Sequence, residues 1–251
     1  MNAKMNNRLV DLHCHLDLFP DFEELVKECE SEKIYTLGVT TTPRAWNKNN
    51  SITSKTKYVR TALGLHPQLV KDFSHEIDLF CSLVPDCKFI GEVGLDGTPD
   101  YLHCMDLQID IFKTILKCSS LNGGRIMSLH SRRAANKVIE CINGQTDAGR
   151  FVLHWFSGTH KELEKAIALD CWFSIGNPML LSVKGCEIIN RIPKEKILTE
   201  TDGPFTKNGD LPARPKVISE TVQMLSKLWK VDLESTKSQI ASNLEALLNT
   251  K

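Results

Sequence analysis

LVDLHCHLD, residues 9 to 17, begins as an apolar run and ends by presenting two histidines. In an extended strand alternate side chains share a face, so His13 and His15 turn together toward one ion or ligand while Leu12 and Cys14 turn to the packing side. Asp11 stands just before them. One pair is not a site, so its meaning depends on what other strand-like runs carry at the same end.

Such runs recur at 34–40, 59–65, 88–93, 125–130, 151–154, 171–175 and 197–201, each dense enough in apolar residues for a strand buried on both faces. Helical patterns lie between and after them, among them 21–32, 105–118, 133–142, 160–169, 216–229 and 234–249. Eight βα units in 251 residues predict an α/β chain of the (β/α)8 TIM-barrel type, folded as a single domain over 1–251. No Gly-rich phosphate loop follows the first strand, which disfavours an open doubly wound sheet.

The polar residues fall at one end of these runs: His13 and His15, His66, Glu92, His130, His154 and Asp202. In a barrel the C-terminal strand ends converge, so residues nearly two hundred positions apart become neighbours. Buried imidazoles and carboxylates are costly unless paired or bound to a cation. We therefore expect His13, His15, Glu92, His130, His154 and Asp202 to be metal ligands. Their nitrogen and oxygen donors suit Zn²⁺ or Mn²⁺, and Mg²⁺ if waters and a substrate phosphate complete the shell. Six ligands exceed what one catalytic zinc takes, which predicts two divalent ions with Glu92 between them.

Two ions of this kind acidify a water and stabilise a phosphodiester as negative charge grows. Asp202 is then the candidate to accept the water's proton, and Glu200 a residue that orients a histidine or water. His66 in GLHP, Arg132 in LHSRRA and Ser157 in HWFSGT are candidate contacts to a substrate phosphate; each also reads as a plain turn or helix-start residue. Phe73, Trp155 and Phe156 are candidates for base stacking, and 44–60, with Arg44, Lys48, Lys55, Lys57 and Arg60, for contact with a nucleic acid strand.

Lysine plus arginine balance aspartate plus glutamate at 31 each, so the whole chain exerts no long-range pull on a phosphate backbone. The nine cysteines, without close pairs and several in apolar runs (Cys14, Cys118, Cys141, Cys171), predict reduced, buried thiols. The start MNAKMNNRLVD lacks a signal-peptide core, and no run approaches the roughly 18 apolar residues of a membrane span, so a cytoplasmic protein with no membrane contact is expected.

DLHCHLD, GLHP, GEVGLD, LHSR, HWFSG and ETDGP, in that order, resemble the successive motifs of the TatD family of metal-dependent deoxyribonucleases, over residues 8 to 249. The resemblance implies DNA hydrolysis, commonly from the 3' end of single strands with Mg²⁺ or another divalent ion, and its ligands match the six positions above. GLD is followed here by GTPDYLHCM, with Tyr101 displaced and no arginine, and the C-terminal pattern is SNLEALL, which keeps Asn243. These departures, in a cysteine-rich chain, also resemble the TatD-like subunit of bacterial Qat anti-phage systems, which implies partner proteins encoded in the same operon. Two further readings fit the same ligands: an amidohydrolase or lactonase acting on a small molecule, and a non-catalytic metal-binding scaffold.

Overall fold

The computed structural model describes residues 8–249, so the part of the leader reading that concerns residues 1–7 lies outside them. In chain order the elements are β1 (Val10–Cys14), α1 (Phe22–Ser31), β2 (Tyr35–Val39), α2 (Pro43–Thr53), β3 (Val59–Ala62), α3 (Val70–Phe73), α4 (Ile77–Leu83), β4 (Phe89–Gly94), α5 (Met105–Leu121) and β5 (Arg125–His130). There follow α6 (Ala135–Asn143), β6 (Gly149–His154), α7 (His160–Ala168), β7 (Trp172–Ile175), α8 (Asn177–Leu180), α9 (Val183–Ile189), β8 (Ile197–Thr199), the short strands β9 (Lys207–Asn208) and β10 (Leu211–Pro212), α10 (Ile218–Trp229) and α11 (Leu233–Asn249). Every strand-like run of the sequence is a strand, and β1, β4, β7 and β8 are buried along their whole length. That burial is why the runs are continuously apolar and show no alternation.

The chain packs as two compact units. The first takes the chain up to Gly38, Ser51–Arg60 and everything from Phe173 onward. In it β1 runs parallel to β2, with Val10 opposite Tyr35 and Cys14 opposite Gly38, and β7 runs parallel to β8, with Phe173 opposite Ile197. The chain just past β8 is laced to β1: Asp202 N–H donates to the His13 carbonyl at 2.8 Å, and His15 N–H to the Gly203 carbonyl at 2.8 Å. Cys14, Leu16, Phe19, Leu25, Val26, Cys29 and Val59 form an apolar cluster under this strand pair and α1. Asn243 of α11 donates to the carbonyls of Lys194 and Ile197, at 2.7 and 2.6 Å, and so fixes the start of β8.

The second unit, Val39–Asn50 and Thr61–Trp172, is built on β4, β5 and β6, all parallel. Leu63, just past β3, bridges to Ile90 of β4. The β4–β5 register shifts between Ile90 and Val93, at the bulge that carries Glu92. Bulges re-aim a side chain, and this one falls where the candidate ligand sits.

One expectation is corrected here. Cys81 of α4 and Cys118 of α5 are joined by a disulfide, so the cysteines are not all reduced, although seven remain free. The two are 37 positions apart and meet only because α4 and α5 pack side by side, which spacing alone could not reveal. Thiol content therefore no longer argues for a reducing compartment. Among the described residues no helix is long and apolar enough to cross a membrane.

Candidate metal centre

The first unit gathers His13, His15 and Asp202, all buried, with one donor atom from each within 4.8 Å of the others. Asp202 Oδ1 lies 3.7 Å from His13 Nε2 and 3.7 Å from His15 Nε2, and the two imidazole centroids are 5.2 Å apart. The backbone places them: His13 stands one residue before the end of β1 and His15 just past it, and Asp202 sits in a left-handed conformation, φ +53°, just past β8. A non-glycine residue held there has its side chain aimed by the surrounding bonds, and strain of this kind clusters at functional sites. Asp11 supplies one of those bonds. Its carboxylate accepts from Thr201 N–H at 2.9 Å and Thr201 Oγ1–H at 2.6 Å, clamping the turn that carries Asp202. Burial pushes the Asp11 carboxyl up to about 8, against the pull of its Thr201 hydrogen bonds.

The second unit gathers His66, Glu92 and His130 in the same way, again buried and within 4.8 Å. Glu92 is the hub. Its Oε1 lies 2.6 Å from His130 Nδ1 and 2.9 Å from His154 Nε2, and its Oε2 lies 3.3 Å from His66 Nε2. Each group offers imidazole and carboxylate donors, a set that suits a divalent transition ion or zinc; His66 keeps its proton on Nε2, because its Nδ1 accepts from Gln68 N–H, so the donors that fit an ion in the second unit are Glu92, His130 and His154.

The sequence profile of the TatD-related DNases matches residues 10–249. This chain belongs to that family. The TatD-family chain is 25% identical to "Uncharacterized metal-dependent hydrolase BU355" of Buchnera aphidicola, over 96% of its length and 99% of the relative's. It is 30% identical to "Putative deoxyribonuclease TATDN1 homolog" of Encephalitozoon cuniculi, over 74% of its own length and 66% of the relative's. The crystal structure of YJJV, a TatD homolog from Escherichia coli, superposes with a TM-score of 0.87 at 23% identity, covering 98% of this chain and 100% of that one. The fold is thus the (β/α)8 TIM-barrel-like amidohydrolase fold, and the chain is a TatD-family metal-dependent hydrolase.

Asp96 is a candidate site residue that the sequence reading passed over, although it stands inside the quoted GEVGLD. Its Oδ2 lies 2.8 Å from His130 Nε2 and accepts from Gln68 Nε2–H at 2.8 Å, while Oδ1 accepts from Thr98 N–H at 2.8 Å. Burial would raise its pKa, but the hydrogen bonds from His130, Thr98 and Gln68 win and hold Asp96 well below the usual carboxylate range. Burial likewise works against protonation of His130, yet Asp96 and Glu92, one on each ring nitrogen, raise its pKa. The arrangement fits a metal ligand: with Nδ1 turned to an ion, Nε2–H donates to Asp96, which fixes the tautomer and makes the ligand more basic. Asp96→Ala is expected to weaken metal binding by about 10- to 100-fold while the fold persists. Zinc or manganese titration of the apo-protein checks it, and unchanged affinity would make Asp96 a turn residue only.

Of the remaining candidates some reach these donors and others do not. Glu200 is buried and hydrogen-bonded to Ser174 Oγ–H. His66 Nδ1 accepts from Gln68 N–H at 3.1 Å, and its Nε2 stands in the Glu92 group. Arg132 and Ser157 are exposed. The helix after β6 is capped by Thr159 and not by Ser157: Thr159 Oγ1 accepts from Glu162 N–H, and the Glu162 carboxylate accepts from Thr159 N–H. Phe156 is buried and Trp155 part-exposed. Phe73 is half-buried under the Arg44 guanidinium, 4.9 Å from its ring centroid, and Arg44 is also paired with Glu76. Arg60 donates to the carbonyls of Thr56 and Val59 at 2.9 and 2.6 Å, so two cations of the 44–60 stretch are engaged within the protein.

Proposed function

We propose that the chain, as a single hydrolase domain, is a divalent-metal-dependent deoxyribonuclease that hydrolyses phosphodiester bonds of single-stranded DNA from the 3' end. The observation that carries this reading is the set of buried donors, His13, His15 and Asp202 in the first unit and Glu92 with His130 and His154 in the second. The deoxyribonuclease name of the Encephalitozoon relative supports DNA as substrate. A bound divalent ion supplies Lewis acidity toward a phosphoryl oxygen and acidifies water near neutral pH.

The chain's own residues do the rest. Asp202, held in place by the His13 carbonyl, accepts the proton of the attacking water. Glu92 gathers the histidines of its group, His154 included, and Glu200, bonded to Ser174, positions from behind. Arg132 and Ser157, both exposed, are the proposed contacts to phosphate oxygens. An anti-phage role beside operon partners draws its support from the sequence resemblance alone.

The test is digestion of end-labelled single-stranded DNA by metal-stripped protein supplied separately with Mg²⁺, Mn²⁺ or Zn²⁺, beside the Asp202→Asn variant and a panel of small esters and lactones. We expect a product ladder that requires metal and that falls by at least about 10²-fold in the variant. Turnover of an ester or lactone with DNA left intact would overturn the nuclease reading.

A further inference from the structure

We propose that Phe205 is a substrate-positioning residue, whose ring stacks on the nucleobase adjoining the phosphodiester served by His13, His15 and Asp202. This rests on the nuclease reading above and deepens it.

A single exposed apolar side chain is ordinary and by itself says nothing. Phe205 differs in its placement and in how firmly it is held. Its side chain is 64% exposed, yet its ring centroid lies only 4.9 Å from that of His15, the planes nearly perpendicular at 84°. Phe205 N–H donates to the Asp202 carbonyl at 3.0 Å, and Thr206 N–H to the same carbonyl at 3.2 Å, so the turn that carries the ring also carries the candidate ligand. Thr206 Oγ1–H closes back on the Thr201 carbonyl, and Ala213 N–H on the Thr206 carbonyl at 2.9 Å. Two residues on in the chain begins the β9–β10 hairpin, which carries Lys207 and Leu211, both exposed.

An aromatic ring in solvent, on a hydrogen-bonded turn and against one imidazole of a donor group for a divalent ion, is the disposition that suits sequence-tolerant binding of single strands. The phosphate goes to the charged centre, the adjoining base to the ring face, and the cation of Lys207 to the backbone beyond. Stacking tolerates any base, because every base has a π-face, so the expected contribution is to affinity and register and not to sequence choice.

The experiment compares the parent with Phe205→Ala and Phe205→Trp on two strands of equal length, one of normal DNA and one of abasic sugar-phosphate units. Removing one stacked base costs roughly 10-fold in affinity. Phe205→Ala is therefore expected to raise KM on normal DNA about 10-fold with kcat little changed, to leave the abasic strand unaffected, and to be rescued by Phe205→Trp. Tm stays at the parent value, because the ring is outside the core, and a change transmitted through His15 would instead show as equal loss on both strands. Equal loss on both strands, or no loss on DNA, overturns the proposal. Fluorescence anisotropy of the same labelled strands separates it from the nuclease reading. If the parent cleaves no DNA, that reading fails, and parent-like DNA affinity in Phe205→Ala would then sink the stacking proposal as well.

Discussion

Glu92→Gln is expected to lower DNA hydrolysis by about 10²- to 10³-fold and to leave metal bound far more weakly after dialysis. The change keeps the shape and removes the charge. Glu92 Oε1 lies 2.6 Å from His130 and 2.9 Å from His154, with Oε2 3.3 Å from His66, so one carboxylate serves three imidazoles in a buried setting. An amide presents a donor where one of those oxygens was, and a neutral oxygen where the other was, and it is a poor ligand for a divalent ion. The change also removes one of the two carboxylates that raise the His130 pKa. Metal content by atomic emission, measured with the rate on end-labelled DNA, checks the prediction. A variant that retains full metal and full rate would show that Glu92 holds histidines in place and nothing more.

Gly64→Ala is expected to cost at least about 3 kcal/mol of stability, a fall in Tm of roughly 6–12 °C for a chain of this size. A methyl group at Gly64 would stand 1.7 Å from the Thr40 carbonyl oxygen and 2.7 Å from both Glu92 N and the Gly91 carbonyl oxygen. All three obstacles are backbone, so none can swing aside as a side chain would. The same strand approach brings Leu65 N–H to the Glu92 carbonyl at 3.1 Å and Glu92 N–H to the Thr40 carbonyl at 3.0 Å, so the added carbon would displace the hub of the second donor group. Gly144→Ala is the control, since its nearest neighbours lie 3.7 and 3.9 Å away, and there the expected change stays within about 1 kcal/mol. Calorimetric melting of both variants reads the difference; equal Tm values would mean that the strands around Gly64 relax freely.

The strands were legible because both their faces are buried, which leaves an unbroken apolar run that few other structures produce. His13, His15, Glu92, His130 and His154 were legible for the complementary reason: a polar side chain ending such a run contradicts its surroundings. Asp96 carried no such contradiction. An aspartate two residues past a strand looks like any turn residue, and only the fold brings it to His130 from 34 positions away. The sequence reading weighed only Ser157 at this helix start, although Thr159 with Glu162 three positions on is a legible capping box. The Cys81–Cys118 link was hidden because two helices meeting side by side leave no spacing signal. Phe205 was hidden because a ring after a proline reads as packing, and its exposure belongs to the turn alone.

The lacing of β1 to the segment past β8 has a consequence in time. Cys14 and Gly203, joined by a bond from Sγ to the carbonyl, are 189 positions apart. At synthesis rates of about 5–20 residues per second, His13 and His15 leave the ribosome roughly 10–40 s before the strand that holds them. The unit that ends at Trp172 has all its chain by then, Glu92 and its histidines included. During that interval the first-made ligands depend on whatever keeps an unfinished strand edge from pairing elsewhere. His13 and His15, made well before Gly203, thus wait on it to reach their places.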